Sequence, residues 1–183
     1  TYNMFNVMLP RFNIETTFVD PSNPKNFSEA CKKNTRLFFA ESLGNPKLDV
    51  LDLDKISVES KKCKVPFMVD NTVATPALLN PIKHGANIVI YSLTKYINGN
   101  GTALGGAIID AGNFNWSNGK FPEFTNPSPG YHGLVYYEAL GPASFIAKVR
   151  VEGLRDLGAA ISPFNSFQIL QGLETLDVRM KKH

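Results

Sequence analysis

Lys95 lies in the run YSLTKYINGNGTALGGAIID, Tyr91 to Asp110, three residues after Ser92 and one after Thr94, with Gly99, Gly101, Gly105 and Gly106 beyond it. The apolar residues just upstream, NIVIY, read as a buried strand, so the ammonium group stands where that strand ends. Three chemistries fit a lysine in such a place. The plainest is solvation, the long stem carrying the charge out to water. A phosphate-binding P-loop is excluded by order: that motif has its glycines before the lysine and a helix after it. Here the glycines follow, and the strand-like GGAIID comes next. The third is a Schiff base with the aldehyde of pyridoxal 5′-phosphate (PLP), which requires a lysine amine, an acid for the pyridine nitrogen and donors for the phosphate. Ser92 and Thr94 are hydroxyl donors of the right kind, and Asp70 ends the neighbouring apolar run VPFMVDN. A carboxylate beside the ring nitrogen favours its protonated form. From spacing alone the solvated lysine and the Schiff-base lysine both stand. Strand-end solvation remains open for Ser92 and Thr94, and a helix cap for Asp70.

These residues need elements to hold them. Four runs read as strands of the buried type, with continuous apolar character: Arg36–Ser42, Val65–Asn71, Asn87–Leu93 and Gly105–Asp110. Between the first two, DLDKISVESKKCK predicts a crossover helix capped by Asp52. Between the second and third, TPALLNPIKHGA predicts a short helix interrupted at Pro81 and closed by Gly85. Alternating strands and helices imply a mostly parallel sheet with helices on its faces, an α/β fold. Ligands of such sheets bind at the carboxyl ends of the strands, where Asp70 and Lys95 fall.

After Asp110 the periodicity lapses. A loop from Ala111 to Gly133 carries Phe114, Trp116, Phe121 and Phe124, which suit either a contact with a neighbouring molecule or folding onto their own domain. A helix over about Pro142–Gly158 is predicted to bury Ala143, Ile146, Ala147, Val151, Leu154 and Leu157. A second, starting at Ser162 and Pro163, carries the stripe Phe167, Leu170, Leu173 and Leu176.

The 183 residues carry a formal net charge of +3, 43% apolar and 19% charged residues, which is ordinary for a soluble globular chain. No basic block argues for nucleic acid or an anionic membrane, and no apolar run reaches the ~20 residues of a spanning helix. Cys31 and Cys63 make no metal-binding pattern with histidine and read as free thiols of a reducing compartment. With no leader pattern, a cytoplasmic location is expected. The opening TYNMFNVML, without a methionine, suggests a fragment or a processed product.

The stretches FFAESLGNPKLDVLDL, VDNTVATPALLNPIKHGANIVIYSLTKYINGNGTALGG and PGYHGLVYYEALGPASFIAKVRVEGLRDLGAAISPFNSFQILQGLETL together resemble the PLP-dependent enzymes of Cys/Met metabolism, over essentially the whole chain. The last is similar to the O-acetylhomoserine sulfhydrylase branch in particular. The resemblance implies the PLP-dependent transferase fold, aspartate aminotransferase-like (fold type I). Residues 1–140 would then be part of the PLP-binding large domain, and 141–183 helices leading into a C-terminal domain. Carried over by position, Lys95 would bond the cofactor's aldehyde, Asp70 its pyridine nitrogen, and Ser92 and Thr94 its phosphate. Asn45, in GNP, would lie near the ring's 3′-oxygen; a turn residue before Pro46 is the alternative. No metal is implied.

The implied reaction is γ-replacement, O-acetyl-L-homoserine plus sulfide giving L-homocysteine and acetate, in methionine biosynthesis. Sulfide itself or a sulfur carrier would be the donor, and the protein a homo-oligomer, dimer or tetramer. A methionine or cystathionine γ-lyase of the same family, or a non-catalytic piece that keeps the fold, are the alternatives. One departure concerns the loop after the lysine, where the sulfhydrylase pattern commonly has histidine; Asn100 cannot titrate. The aromatic that stacks on the ring would precede Thr1, and the arginine for the substrate carboxylate would follow His183. Tyr2 and Phe5 are expected only to pack.

Overall fold

The computed structural model describes all residues, 1–183. Its centre is a four-stranded sheet of β1 (Phe38–Glu41), β2 (Phe67–Asp70), β3 (Ile88–Ser92) and β4 (Gly106–Asp110), in that spatial order. The first three strands are parallel, with Glu41 opposite Asp70 and Asp70 opposite Ile90; β4 returns antiparallel to β3, Ser92 opposite Gly106. The helices are α1 (Lys25–Glu29), α2 (Leu53–Cys63), α3 (Thr75–Leu78), α4 (Pro122–Thr125), α5 (Tyr136–Leu140), α6 (Ser144–Lys148), α7 (Pro163–Leu173) and α8 (Leu176–Lys182). None is long and apolar enough to cross a membrane.

The expected strands form within a residue or two of their predicted limits; β1 to β3 are buried or half-buried as continuous apolar runs should be, whereas β4, expected to be buried, is an edge strand that leaves Ile108 and Ile109 exposed. On one face Phe38, Ala40, Phe67, Val69, Val89 and Tyr91 join Leu53 and Ile56 of α2 and Ile169, Leu176 and Met180 of α7 and α8. On the other, Met68, Ile88 and Ile90 meet Trp116, Phe121, Phe124 and Tyr136. The cap of α2 is as the sequence implies: an Asp52 carboxylate oxygen accepts from the Lys55 N–H at 3.1 Å. The run after Thr75 divides as expected into α3 and a 3₁₀ turn, Pro81–His84, closed by Gly85 at φ 84°. That glycine also admits the Ser57 side chain, whose hydroxyl donates to the Gly85 carbonyl.

Of the two alternatives for the aromatic loop the structure takes the second, folding onto its own domain: Trp116, Phe121 and Phe124 are buried, and Trp116 stacks on Phe145 with centroids 5.0 Å apart. Two further expectations are corrected. The helix expected over 142–158 is regular only through α6 and widens to a π-helix over Val149–Leu157. A π-helix bonds i to i+5, so the 3.6-residue phase is lost and Leu157 ends 89% exposed. On α7, Phe167, Leu170 and Leu173 face outward, while Ile169 and Gly172 face the core. Apolar residues lie on more than one side of this helix, and the inward side is the one whose glycine permits the closest approach: a Cβ at Gly172 would overlap the Asn98 carbonyl oxygen. Of the two N-terminal aromatics, Phe5 packs on Phe39 at 4.8 Å and Tyr2 on Phe18 at 5.0 Å.

Candidate active site

Three parallel strands finish at one edge of the sheet, and the candidate residues gather there. Because side chains alternate along a strand, Glu41, Asp70 and Ser92 share the face that also carries Met68, Ile88 and Ile90. Thr72 ties two of them together. Its hydroxyl donates to Asp70 Oδ1 at 2.5 Å and accepts from the Ser92 N–H at 2.8 Å. The Thr72 N–H donates to the same Asp70 oxygen at 3.0 Å. One carboxylate oxygen of Asp70 is thereby fixed, while Oδ2 makes no hydrogen bond and lies within reach of solvent.

Below this turn a buried polar network sets its shape. Asn71 is fully buried; its amide donates to Thr75 O (3.1 Å), Leu79 O (2.9 Å) and the Tyr91 hydroxyl (3.2 Å), and its carbonyl accepts from Ser42 Oγ at 2.7 Å. Every polar atom of that side chain is met, the condition under which a buried amide rigidifies a fold. Burial pushes the Tyr91 phenol up from its ordinary pKa, so it stays neutral and serves as the acceptor.

Lys95 follows β3 after one turn, its N–H donating to Ser92 O at 3.2 Å and its carbonyl accepting from the Gly99 N–H at 2.8 Å. The side chain is exposed, and its amine has no ion pair or hydrogen bond within the chain. The Ser92 hydroxyl is similarly unengaged and reachable. Thr94 differs: its hydroxyl accepts from the Gly105 N–H at 3.1 Å and donates to the Gly105 carbonyl at 3.3 Å. It ties the lysine turn to the start of β4 and has only the weaker of those bonds to give up to a ligand. Asn45 is exposed next to β1, its N–H donating to Glu41 Oε2 at 3.2 Å, with a cis peptide to Pro46. Asn100 is exposed between Gly99 and Gly101, both at positive φ.

A free amine, a half-anchored carboxylate and a free hydroxyl on adjacent strand ends fit a ligand with an aldehyde, a basic ring nitrogen and a phosphate. Glu41, opposite Asp70 in register, puts a second carboxylate-bearing residue at this edge, and would add to the negative charge facing a basic ring nitrogen. Sequence reasoning missed Thr72, Asn71 and Glu41. The dipeptide Asn71–Thr72 after an apolar strand is a turn signal, but which strand end its side chains would bridge is tertiary information.

A wide cavity of about 1140 Å³ lies elsewhere, at the edge where the strands begin, lined among others by Leu37, Pro66, Ile88, Trp116 and Phe145. Its charges are paired: Arg36 with Glu123 at 3.9 Å, Arg155 with Asp156 at 2.8 Å, and Lys148 with Glu152. Volume points to one edge and available chemistry to the other, and the chemistry is the better guide.

A family model described as Cys/Met metabolism PLP-dependent enzyme matches residues 1–183. The O-acetyl-L-homoserine sulfhydrylase of Leptospira meyeri is 53% identical over the whole chain, and the homocysteine/cysteine synthase of Saccharomyces cerevisiae 45%. The chain spans 43% and 42% of the lengths of these two relatives. Among solved structures, a putative O-acetylhomoserine (thiol)-lyase from Campylobacter jejuni containing N′-pyridoxyl-lysine-5′-monophosphate superposes with a TM-score of 0.94 at 41% identity. It matches 99% of this chain and 45% of its own. An O-acetylhomoserine sulfhydrylase of Wolinella succinogenes gives a TM-score of 0.81 at 36% identity, over 96% of this chain and 47% of that one.

Proposed function

The chain belongs to the PLP-dependent enzymes of Cys/Met metabolism, and from that premise we propose that it carries the cofactor-binding core of an O-acetyl-L-homoserine sulfhydrylase. The reaction is replacement at the γ-carbon: the carbon–oxygen bond to acetate breaks, a carbon–sulfur bond to sulfide forms, and L-homocysteine results. The observation that carries this reading is the sheet edge itself, where Thr72 bridges Asp70 to Ser92 and Lys95 follows one turn later with a free amine. Residues 1–140 belong to the cofactor-binding large domain and 141–183 lead into the next. The assembled protein is a homo-oligomer working in the cytoplasm.

Bound PLP supplies an electron sink that makes the substrate's α- and β-hydrogens acidic. Lys95 would hold the cofactor, and its amine, when free, would take the α-proton on Nζ as a general base. Asp70, with one oxygen fixed by Thr72 and the other free, would face the ring nitrogen and favour its protonated form. Ser92 would offer its unengaged hydroxyl to the phosphate, and Thr94 would be a second donor on giving up its bond to the Gly105 carbonyl. Asn45, whose backbone N–H is held by Glu41, would serve the ring's 3′-oxygen. Asn100 can donate or accept near the loop but takes no proton.

The test begins with the full-length protein and PLP: borohydride reduction followed by peptide mapping should leave the cofactor on Lys95. Lys95→Ala should trap none and lose all turnover. With cofactor in place, O-acetylhomoserine and sulfide should give homocysteine and acetate. Release of ammonia and a 2-oxoacid from methionine or cystathionine, with no homocysteine from O-acetylhomoserine, would make the protein a γ-lyase instead.

A further inference from the structure

Arg179, on α8, reaches across to the turn that carries Lys95. Its Nη1 donates to the Tyr96 carbonyl at 2.7 Å, and Nη2 to those of Ile97 at 3.4 Å and Gly172 at 2.8 Å. Nε donates to Thr175 Oγ1 at 3.1 Å. No carboxylate pairs with it. A guanidinium whose fork is spent on neutral carbonyls, two of them from the residues that follow Lys95, acts as a bracket for backbone.

The surroundings are cut to suit it. Gly99 has φ +72°, and a Cβ there would lie 2.6 Å from Arg179 Cζ, so only glycine lets the guanidinium rest on the loop. Beside it, Gly172 of α7 seats directly on the Asn98 backbone, and the buried Asn98 amide donates to Ala103 O at 3.1 Å. Thr94, on the other side, is fastened to Gly105. The segment from Thr94 to Gly99 is thus gripped by β4 and by the α7–α8 pair, and Arg179 supplies the side-chain bonds from the helices.

We propose that Arg179 is a positioning residue for Lys95: by holding the carbonyls of Tyr96 and Ile97 it fixes where the lysine amine stands relative to the groups on Asp70 and Ser92. It touches neither substrate nor cofactor. This rests on Lys95 being the cofactor lysine of the proposed function, and the experiment separates the two ideas. Hydrogen exchange of the cofactor-free full-length protein is compared for the parent, Arg179→Met, Arg179→Lys, Gly99→Ala and Lys181→Ala. Lys181 is an exposed control on the same helix, paired only with Asp177. Amides of residues 96–99 should exchange about tenfold faster in Arg179→Met and Gly99→Ala, with strand amides unchanged. Lys181→Ala should match the parent, and Arg179→Lys should recover part of the protection.

In the loaded enzyme, per mole of cofactor bound, kcat should fall about a hundredfold with KM within about twofold, the cost of a displaced reacting group. The visible circular dichroism of the bound cofactor should change alongside. Parent-like exchange, dichroism and kcat in a folded Arg179→Met would overturn the inference; if that variant does not fold, the same three readings on Gly99→Ala decide it. A parent that captures no cofactor on Lys95 overturns the proposed function. The exchange arm then still decides whether Arg179 holds the loop, and unchanged exchange sinks that too.

Discussion

At the edge where β1, β2 and β3 finish, Lys95 Nζ, Ser92 Oγ and Asp70 Oδ2 have no partner in the chain yet lie open to one. At the edge where they start, the unmet polar atoms, Trp116 Nε1, Ser144 Oγ and Asp110 Oδ2, are sealed inside packing. The finishing edge has a backbone braced by the Asn71 network. The starting edge has a wide cavity and charges already paired with one another. A site is marked by reactive groups left free on a scaffold whose own bonds are complete. Empty space by itself marks only where packing is loose.

The largest disturbance should come from the starting edge and leave chemistry alone. Trp116 contacts Phe114, Phe121, Phe124 and Phe145, so Trp116→Ala should cost about 3–5 kcal/mol in urea unfolding. Cofactor captured per folded molecule should match the parent; a loss there would mean the two edges are not separable. Asn71→Ala should cost less, about 2 kcal/mol, by stranding the bonds to Ser42, Thr75, Leu79 and Tyr91. It should nonetheless weaken PLP affinity, which equilibrium dialysis would read, because the Asp70–Thr72 turn rests on it.

The smallest effect concerns Asp110, whose carboxyl is pushed above its ordinary pKa by burial, against a hydrogen bond from the Gly112 N–H that lowers it. The folded chain therefore holds this proton more tightly than the unfolded chain. Its stabilising contribution is complete below the unfolded pKa and is lost as pH rises through the folded one. Unfolding midpoints taken across the acid range should fall less on the way to neutrality in Asp110→Asn than in the parent. Parallel curves would show that Asp110 is already well solvated.

Much of this edge could be read in advance, since strands and their order of chemistry are local. The four apolar runs, the Asp52 cap and the Ser162–Pro163 start depend on a few neighbouring residues, and each formed where expected, although the fourth run, β4, is antiparallel and largely exposed where burial was expected. Lys95, Asp70 and Ser92 could be placed at strand ends because a parallel sheet leaves few alternatives. What was not legible depended on distant contacts. The Phe167–Leu170–Leu173 stripe was the more apolar side of α7, yet Gly172 decided the facing through Asn98, far off in sequence. Thr94 has the composition of a phosphate ligand, but nothing local reveals that Gly105 already holds its hydroxyl. The widening of the helix beyond Lys148 leaves no mark on hydrophobic spacing at all.

The lysine turn is closed twice, by chain loops of very different length. The Thr94–Gly105 link spans 11 residues and the Arg179–Tyr96 link spans 83. For flexible loops, that ratio makes the second closure dearer in chain entropy by about 1.8 kcal/mol. The near link can therefore form with little more than β3 and β4 in place. The far one waits until the chain has travelled through the aromatic loop, the π-helix and α7. The reactive end of the sheet takes its outline from near neighbours and its second clasp from residues far along the chain.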